Sequence, residues 1–423
     1  MKNRGRDTEA AEKAFLVGLE LPGSDRWGVK DSLEELALLA ATAGAEVKGE
    51  TITRRRAPAA ATCIGRGKAE EVARIVREGG IDLVLFDEDL TPAQLRNLQD
   101  VMGARVLDRT ELILAIFAQR ARTREAQLQI EMAQLHYLLP RLTGKGVLLS
   151  RLGGGIGTKG PGETKLEVDR RKIRDRIHHL KEELEKVRRH RSSQRRQRRE
   201  TGIMEIAIIG YTNSGKSTLL NALTGADAAV ENKLFATLDP TTRRAKLPSG
   251  LTVLFYDTVG FIKKLPHHLV ESFRATLEEV AEADILLQVM DASHRLLREQ
   301  NAAVEQVLAE LKIGSKTVIP VLNKADLVRD PFRLDELAAR LPGSVAVSAL
   351  NRTGFDALLR RIDAALGAVR RRLRLLVPQG RPDLVAWLHQ KGTVVKTDYH
   401  QNDVYIEVML EDRWRSQVKE YLL

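Results

Sequence analysis

The sequence predicts an α/β protein: a P-loop domain, preceded by a small α/β domain and a long helical hairpin and followed by a small C-terminal α+β domain. Three observations carry that expectation. Gly210-Tyr211-Thr212-Asn213-Ser214-Gly215-Lys216-Ser217 has phosphate-loop spacing, between apolar residues 206–209 that read as a strand end and residues 217–223 that read as a helix start. From Phe15 to Arg109 apolar strand-like runs alternate with amphipathic helical ones, the pattern of a largely parallel sheet. Between Arg141 and Glu200 stand 19 Lys and Arg against 8 Asp and Glu, a local excess as large as the +11 of the whole chain. With 423 residues several cores are expected, divided at 1–109, 110–200, 201–369 and 370–423.

In the first domain the strands are Phe15–Leu21, Ile81–Phe86 and Ala104–Leu107, and the helices Ser32–Ala43, Lys68–Glu78 and one opened by Thr91 and Pro92 through Val101. Gly65-Arg66-Gly67-Lys68 shares glycines and a lysine with a phosphate loop but not its spacing, and reads as a glycine turn before a helix, with a second nucleotide site as the weaker reading. Helix formers then run from Glu111 to Leu139, where Pro140 ends them. A glycine-rich stretch from Gly144 to Gly162 leads into a second helical run with Ile173, Ile177, Leu180, Leu184 and Val187 in register. The simplest assembly is an antiparallel hairpin with a basic, glycine-rich tip flanked by Arg141, Lys145, Arg151, Lys159 and Lys165. A passive linker explains the glycines but not the charge, so the tip reads as a binding loop for a polyphosphate such as RNA. After the P-loop domain, Leu373–Pro378, Asp383–His389, Thr393–Lys396, Val404–Val408 and Trp414–Tyr421 suggest a β-α-β-β-α appendage.

Composition narrows the function classes. Aromatic residues make up 4% of the chain, which argues against base stacking as the main mode of nucleic-acid binding. The one cysteine, Cys63, excludes an intramolecular disulfide and a cysteine-based zinc site, and reads as a buried thiol in a reducing compartment. Met1 to Lys13 is charged without the apolar core of a signal peptide, and no apolar run has the length of a membrane span. The expectation is a cytoplasmic protein, monomeric when free; peripheral membrane contact is compatible with it.

Gly210 and Gly215 allow a turn tight enough for backbone N–H groups and a helix N-terminus to face phosphate oxygens. Lys216 can reach the β- and γ-phosphates, and the Ser217 hydroxyl can ligate Mg²⁺. The choice of nucleotide rests on later motifs. In Asn323-Lys324-Ala325-Asp326 the Asp326 carboxylate matches the N1–H and exocyclic amine donors of guanine, which favours GTP over ATP. Ser348-Ala349-Leu350 is placed to finish the base pocket through the Ala349 N–H. Asp257-Thr258-Val259-Gly260 follows a strand reading at Leu251–Tyr256; Asp257 can hold Mg²⁺ through water and the Gly260 N–H can bond the γ-phosphate. Phe235-Ala236-Thr237-Leu238-Asp239 reads as a switching segment, with Thr237 preferred over Thr241 and Thr242 as second metal-binding hydroxyl. Lys216, Thr237 and Gly260 are thus the catalytic candidates, Ser217 and Thr237 the metal ligands, and GTP or GDP with Mg²⁺ the expected ligands.

These motifs resemble the translation-factor-related GTPases, and within them the HflX family, through Phe235–Thr241, Asp257–Ile262 and the glycine-rich segment Arg151–Arg171. The resemblance implies a P-loop GTPase that binds the large ribosomal subunit and its RNA and splits or rescues stalled ribosomes. Phe261 stands where many GTPases carry a water-orienting Gln, and its side chain cannot hydrogen-bond water. The resembling family shares this replacement, so slow intrinsic turnover stimulated by the ribosome is expected. One other reading stays open on residues alone, a signalling or membrane-associated GTPase whose basic helices meet a protein or anionic lipid; a third, an RNA-remodelling ATPase using Gly65–Lys68, is disfavoured by Asp326.

Overall fold

The computed structural model describes residues 11–23, 26–142, 165–200, 203–226, 234–239, 241–264, 280–310, 313, 316–400 and 402–423. The expected binding loop at the hairpin tip, residues 143–164, lies outside these. The described residues form two compact units, one of residues 11–184 with 234–236 and the other of the remainder, the boundary falling within one long helix.

In the first unit β1 (Lys13–Glu20), β2 (Glu46–Arg54), β3 (Leu83–Phe86) and β4 (Arg105–Asp108) form a parallel sheet in the order β2-β1-β3-β4. Alternation along β1 decides what covers each face. Phe15, Val17 and Leu19 pack on α2 (Arg66–Gly79) and α3 (Pro92–Met102). Gly18 points the other way, under α1 (Arg26–Ala43), where a Cβ would come within 3.1 Å of Leu33 Cδ1. A capping box starts α3: Gln94 N donates to Thr91 Oγ1 and Thr91 N to Gln94 Oε1.

β2 is absent from the sequence expectation. It is an edge strand with charged and polar residues at most positions and little buried surface, so it carries no apolar run to announce it. The expected run from Glu111 to Leu139 is divided into α4 (Arg109–Arg120) and α5 (Arg124–Leu138). Asp108 caps the first and the Thr123 hydroxyl the second, by accepting from Ala126 N.

α6 (Lys165–Glu200) returns along α5. Leu128, Met132 and Leu135 pack against Ile173, Ile177, Leu180 and Leu184, as the helical register predicts. Arg176 pairs with Glu131 through two bonds of 2.7 and 2.9 Å, and Arg124 with Glu183 at 2.7 Å. A buried polar cluster stands behind the base of this hairpin. Arg109, on α4, donates to Asp87 at 2.8 Å and to Glu35, while Arg141 donates to Asp108 at 3.1 Å and to the Leu90 carbonyl and stacks on Tyr137.

The second unit holds a six-stranded sheet. Its strands are β5 (Met204–Gly210), β6 (Thr241–Lys246), β7 (Thr252–Asp257), β8 (Ile285–Asp291), β9 (Thr317–Asn323) and β10 (Val345–Ala346), ordered β10-β9-β8-β5-β7-β6 with only β6 antiparallel among them. α7 (Lys216–Thr224), α8 (Leu297–Glu310), α9 (Pro331–Arg340) and α10 (Phe355–Val369) are its described helices. Central strands buried on both faces explain the unbroken apolar runs, and Leu219, Leu220, Leu358 and Ile362 seal one face. The P-loop, Asp257–Gly260, Asn323–Asp326 and Ser348–Leu350 each follow the carboxyl end of one of these strands, whereas Phe235–Asp239 precedes β6.

β11 (Arg370–Pro378), α11 (Pro382–Lys391), β12 (Thr393–Tyr399) and β13 (Asp403–Glu411) complete the chain as an antiparallel sheet β11-β13-β12 with one helix. The expected final α-helix is instead a 3₁₀ segment, Asp412–Tyr421, whose Val418 and Trp414 still pack on the sheet.

Candidate functional site

The P-loop turns from β5 into α7 with Gly210 at φ 151, Asn213 at φ 59 and Gly215 at φ 90. Side chains are excluded by contact as well as by dihedral: a Cβ on Gly210 would run into the Val289 carbonyl oxygen, and one on Gly215 into the Asn323 amide. Tyr211, Thr212, Ser214 and Lys216 are buried and Asn213 is exposed. The Ser214 hydroxyl is buried with no hydrogen-bond partner.

Lys216 Nζ donates to the Tyr211 carbonyl at 2.9 Å and the Gly210 carbonyl at 3.3 Å. Burial pushes its ammonium down to about 8, against the pull of Asp257. Burial likewise raises the Asp257 carboxyl, opposed first by Lys216 and then by the hydroxyls of Ser217 and Thr237.

Those hydroxyls meet the carboxylate at one point. Ser217 Oγ donates to Asp257 Oδ2 at 2.6 Å, Thr237 Oγ1 donates to the same oxygen at 2.8 Å, and the two hydroxyls are 2.8 Å apart. Three oxygens from three separate segments converge beside the P-loop, a donor set of the hard, oxygen-only kind that suits Mg²⁺. Thr241 and Thr242, the competing hydroxyls, lie in β6 in register with Asp257 and Tyr256. Thr258 Oγ1 donates to the Ile208 carbonyl, and Val259 is buried. A Cβ on Gly260 would come within 2.9 Å of Lys216 Nζ, so the backbone there lies directly against the P-loop. Of the switching segment, Phe235 and Leu238 are buried, Ala236 is exposed and Asp239 is part-exposed.

Phe261 is 3% exposed, and its backbone is clasped to the P-loop: its N–H donates to the Gly210 carbonyl at 3.1 Å and its carbonyl accepts from Thr212 N at 2.6 Å. The Tyr211 hydroxyl accepts from Lys263 N at 2.7 Å.

On the base side Asn323 joins the other two loops. Its Nδ2 donates to the Ser214 carbonyl at 2.9 Å and its Oδ1 accepts from Ala349 N at 3.0 Å. Ala325 N donates to the Val347 carbonyl, and Ser348 Oγ accepts from Asn351 N. Lys324, at φ 61, pairs with Asp291 at 2.7 Å. Asp326 and Leu350 stand exposed at the rim. Two participants escaped the sequence reading. Asp291 ends the apolar run of β8, a signal available in the residues, whereas the tie from Tyr211 to Lys263 has none.

Elsewhere, Gly65 sits at φ 88 before α2 with Arg55 Nη1 donating to the Ile64 carbonyl, the glycine turn that the residues suggest. Arg141, expected beside the basic tip, is instead committed to Asp108, Leu90 and Tyr137. Among the described residues no group of three or more His, Cys, Asp and Glu could hold a metal, and no helix is long and apolar enough to cross a membrane.

Comparison with known proteins places these features in a family. Residues 30–118 match the family model described as GTP-binding GTPase N-terminal, 120–198 the GTP-binding GTPase Middle Region, and 205–324 the 50S ribosome-binding GTPase. A solved GTP-binding protein from Sulfolobus solfataricus in complex with GDP is 26% identical, covering 84% of this chain and 98% of that one with a TM-score of 0.46. The GTPase HflX of Escherichia coli K12 is 42% identical over 88% of each chain. That of Caldanaerobacter subterraneus subsp. tengcongensis is 45% identical over the whole of this chain and 96% of its own. Likeness of that degree along the full length, with a loop-to-loop nucleotide site at the strand ends, shows that the chain belongs to the GTPase HflX family.

Proposed function

We propose that this chain hydrolyses GTP on the large ribosomal subunit and splits or rescues stalled ribosomes, GTP favouring the bound conformation and hydrolysis favouring release. The observation that carries the enzymatic part is the meeting of Ser217, Thr237 and Asp257 at one point beside Lys216. Ser217 and Thr237 would hold Mg²⁺ there, and Asp257 would help to hold it through a water. The ion, when bound, supplies charge stabilisation on the phosphates. Lys216 and the P-loop amides of residues 213–217 hold the β- and γ-phosphates and stabilise charge developing between them. The Gly260 N–H bonds the γ-phosphate. Asp326 reads the guanine edge, while the Asn323 amide holds the Ser214 and Ala349 loops in place around it.

Phe261, standing where many GTPases carry a water-orienting Gln, offers the attacking water no hydrogen bond and is buried. Intrinsic turnover is therefore slow, and the partner supplies or orders the missing group. Name and charge together support a ribosomal partner: the matched description 50S ribosome-binding GTPase, and the +11 excess concentrated at 141–200. For dissection the chain divides at 109, 200 and 369. The test is GTP turnover with and without purified large subunits. Stimulation of at least tenfold is expected, and cosedimentation with subunits in the GTP-bound state. Turnover unchanged by subunits, without cosedimentation, overturns the ribosomal part and leaves the GTPase.

A further inference from the structure

We infer that Asp291 is a positioning residue for guanine binding: by holding the Lys324 ammonium it keeps that charge off Asp326 and leaves the Asp326 carboxylate open to the base. This rests on the reading of Asp326 as the group that meets the guanine edge.

Asp291 closes β8 in register with Asn323 at the end of β9, so it stands beside the base loop within one sheet. Both of its carboxylate oxygens are engaged. Oδ1 accepts from Ser293 N at 3.0 Å and from Ser293 Oγ at 2.5 Å, and Oδ2 pairs with Lys324 Nζ at 2.7 Å. Arg333 steadies the turn that carries Ser293, donating to the Ala292 carbonyl at 3.1 Å and the His294 carbonyl at 2.7 Å. The acceptor is thus aimed at the lysine in advance.

Asp326 is in the opposite condition. It is exposed, and among the described residues it has no hydrogen-bond or ion-pair partner. It lies two residues after Lys324, so the two Cα atoms stand within about 7 Å, a gap that the four-carbon stem of a lysine spans. Pairing of the two would occupy the oxygens that the guanine N1–H and amine need. Surroundings decide which carboxylate wins. An exposed pair is weak, because water and salt screen it and both side chains lose freedom. The Asp291 side chain is 13% exposed and fixed by two donors, and it holds the lysine more firmly. The backbone around Lys324 is fastened independently of this pair: Ala292 N donates to the Asn323 carbonyl at 2.8 Å and Ala325 N to the Val347 carbonyl at 3.1 Å. Those bonds keep Lys324 at φ 61, so loss of the Asp291 charge frees the side chain and leaves the loop in place.

The test is the affinity of the full chain for GDP, measured by calorimetry in EDTA so that no divalent ion takes part. Asp291→Asn keeps the size of the side chain and is expected to weaken GDP binding about fivefold, the strength of the exposed pair that then competes for Asp326. Taken against the unmodified chain at equal salt, that loss shrinks as NaCl is raised. In a Lys324→Met background the same substitution is expected to change GDP affinity by less than about twofold, and likewise in an Asp326→Ala background, because the competing pair then lacks one member. Asp291→Ser is read in place of Asp291→Asn should circular dichroism show the latter unfolded. Unchanged affinity in Asp291→Asn overturns the inference, and so does a loss that persists with Lys324→Met, the mark of a mere brace for the loop. Asp326→Ala by itself separates the two levels. If it binds GDP as tightly as the unmodified chain, the reading of Asp326 falls and this inference with it; if it weakens binding by about tenfold or more while Asp291→Asn does not, only the role of Asp291 falls.

Discussion

Gly215 shows how little room single residues have in the nucleotide site. Its φ of 90 disfavours any L side chain, and a Cβ would strike the Asn323 amide, which is buried and bonded at both ends and so has nowhere to retreat. Gly215→Ala is expected to lower stability by about 2 kcal/mol and to abolish measurable GTP binding, as checked by chemical denaturation and by fluorescent-nucleotide titration. Lys216 makes a second case, through its proton. In the nucleotide-free fold it loses the proton near 8, where an ordinary lysine holds it to 10.5, so between those values the unfolded chain binds more protons and stability rises with pH. Phosphate oxygens beside the ammonium reverse the shift. Binding of GDP at pH 8 is therefore expected to take up about half a proton, and almost none at pH 6.5, as read by calorimetry in buffers of different ionisation enthalpy. The motif residues were legible in the sequence because their chemistry fixes both type and spacing. The clasp of Phe261 on Gly210 and Thr212 was not, since it is made by backbone atoms and leaves no mark on residue identity.

Elements differ in what holds them. In the α5–α6 hairpin the apolar stripe dominates: Leu180 is fully buried between Leu128, Met132 and Leu135, whereas the Arg176–Glu131 pair is about two-fifths exposed on each side. Leu180→Ala is expected to cost about 3 kcal/mol and Arg176→Ala no more than about 0.5 kcal/mol, each followed by helical circular dichroism under denaturant. The same contrast explains legibility. The hairpin stripe is periodic and was read residue by residue, and the central strands were read from their apolar runs. β2 is a polar edge strand that escaped for lack of either signal, and the break between α4 and α5 depends on a Thr123 cap that helix propensity alone does not reveal. The carboxyl-terminal 3₁₀ segment was expected as an α-helix because its apolar residues, Trp414, Val418 and Tyr421, suit a helical turn of either kind.

At the scale of the whole molecule, charge and architecture are separate matters. The basic excess is concentrated at 141–200, so the RNA contact proposed above would be a counter-ion effect. Binding to large subunits is expected to weaken steeply with salt, and replacing Arg151 and Lys159 together by Ala to lessen the slope of log affinity against log salt by about 2, with GTP binding unchanged. That Arg141 does not belong to this surface could not be read from the sequence, because its partners Asp108 and Leu90 are brought to it only by the tertiary fold. The Asn323 amide carries one more consequence, for how the molecule lets go of what it holds. A single side chain fastens the phosphate loop at Ser214 and the base loop at Ala349, so a small withdrawal of the end of β9 slackens both together. Nucleotide exchange is therefore expected to have one gate rather than two, with stopped-flow dissociation following a single exponential whether the fluorescent reporter is carried on the ribose or on the terminal phosphate; a second phase for either reporter would show separate gates.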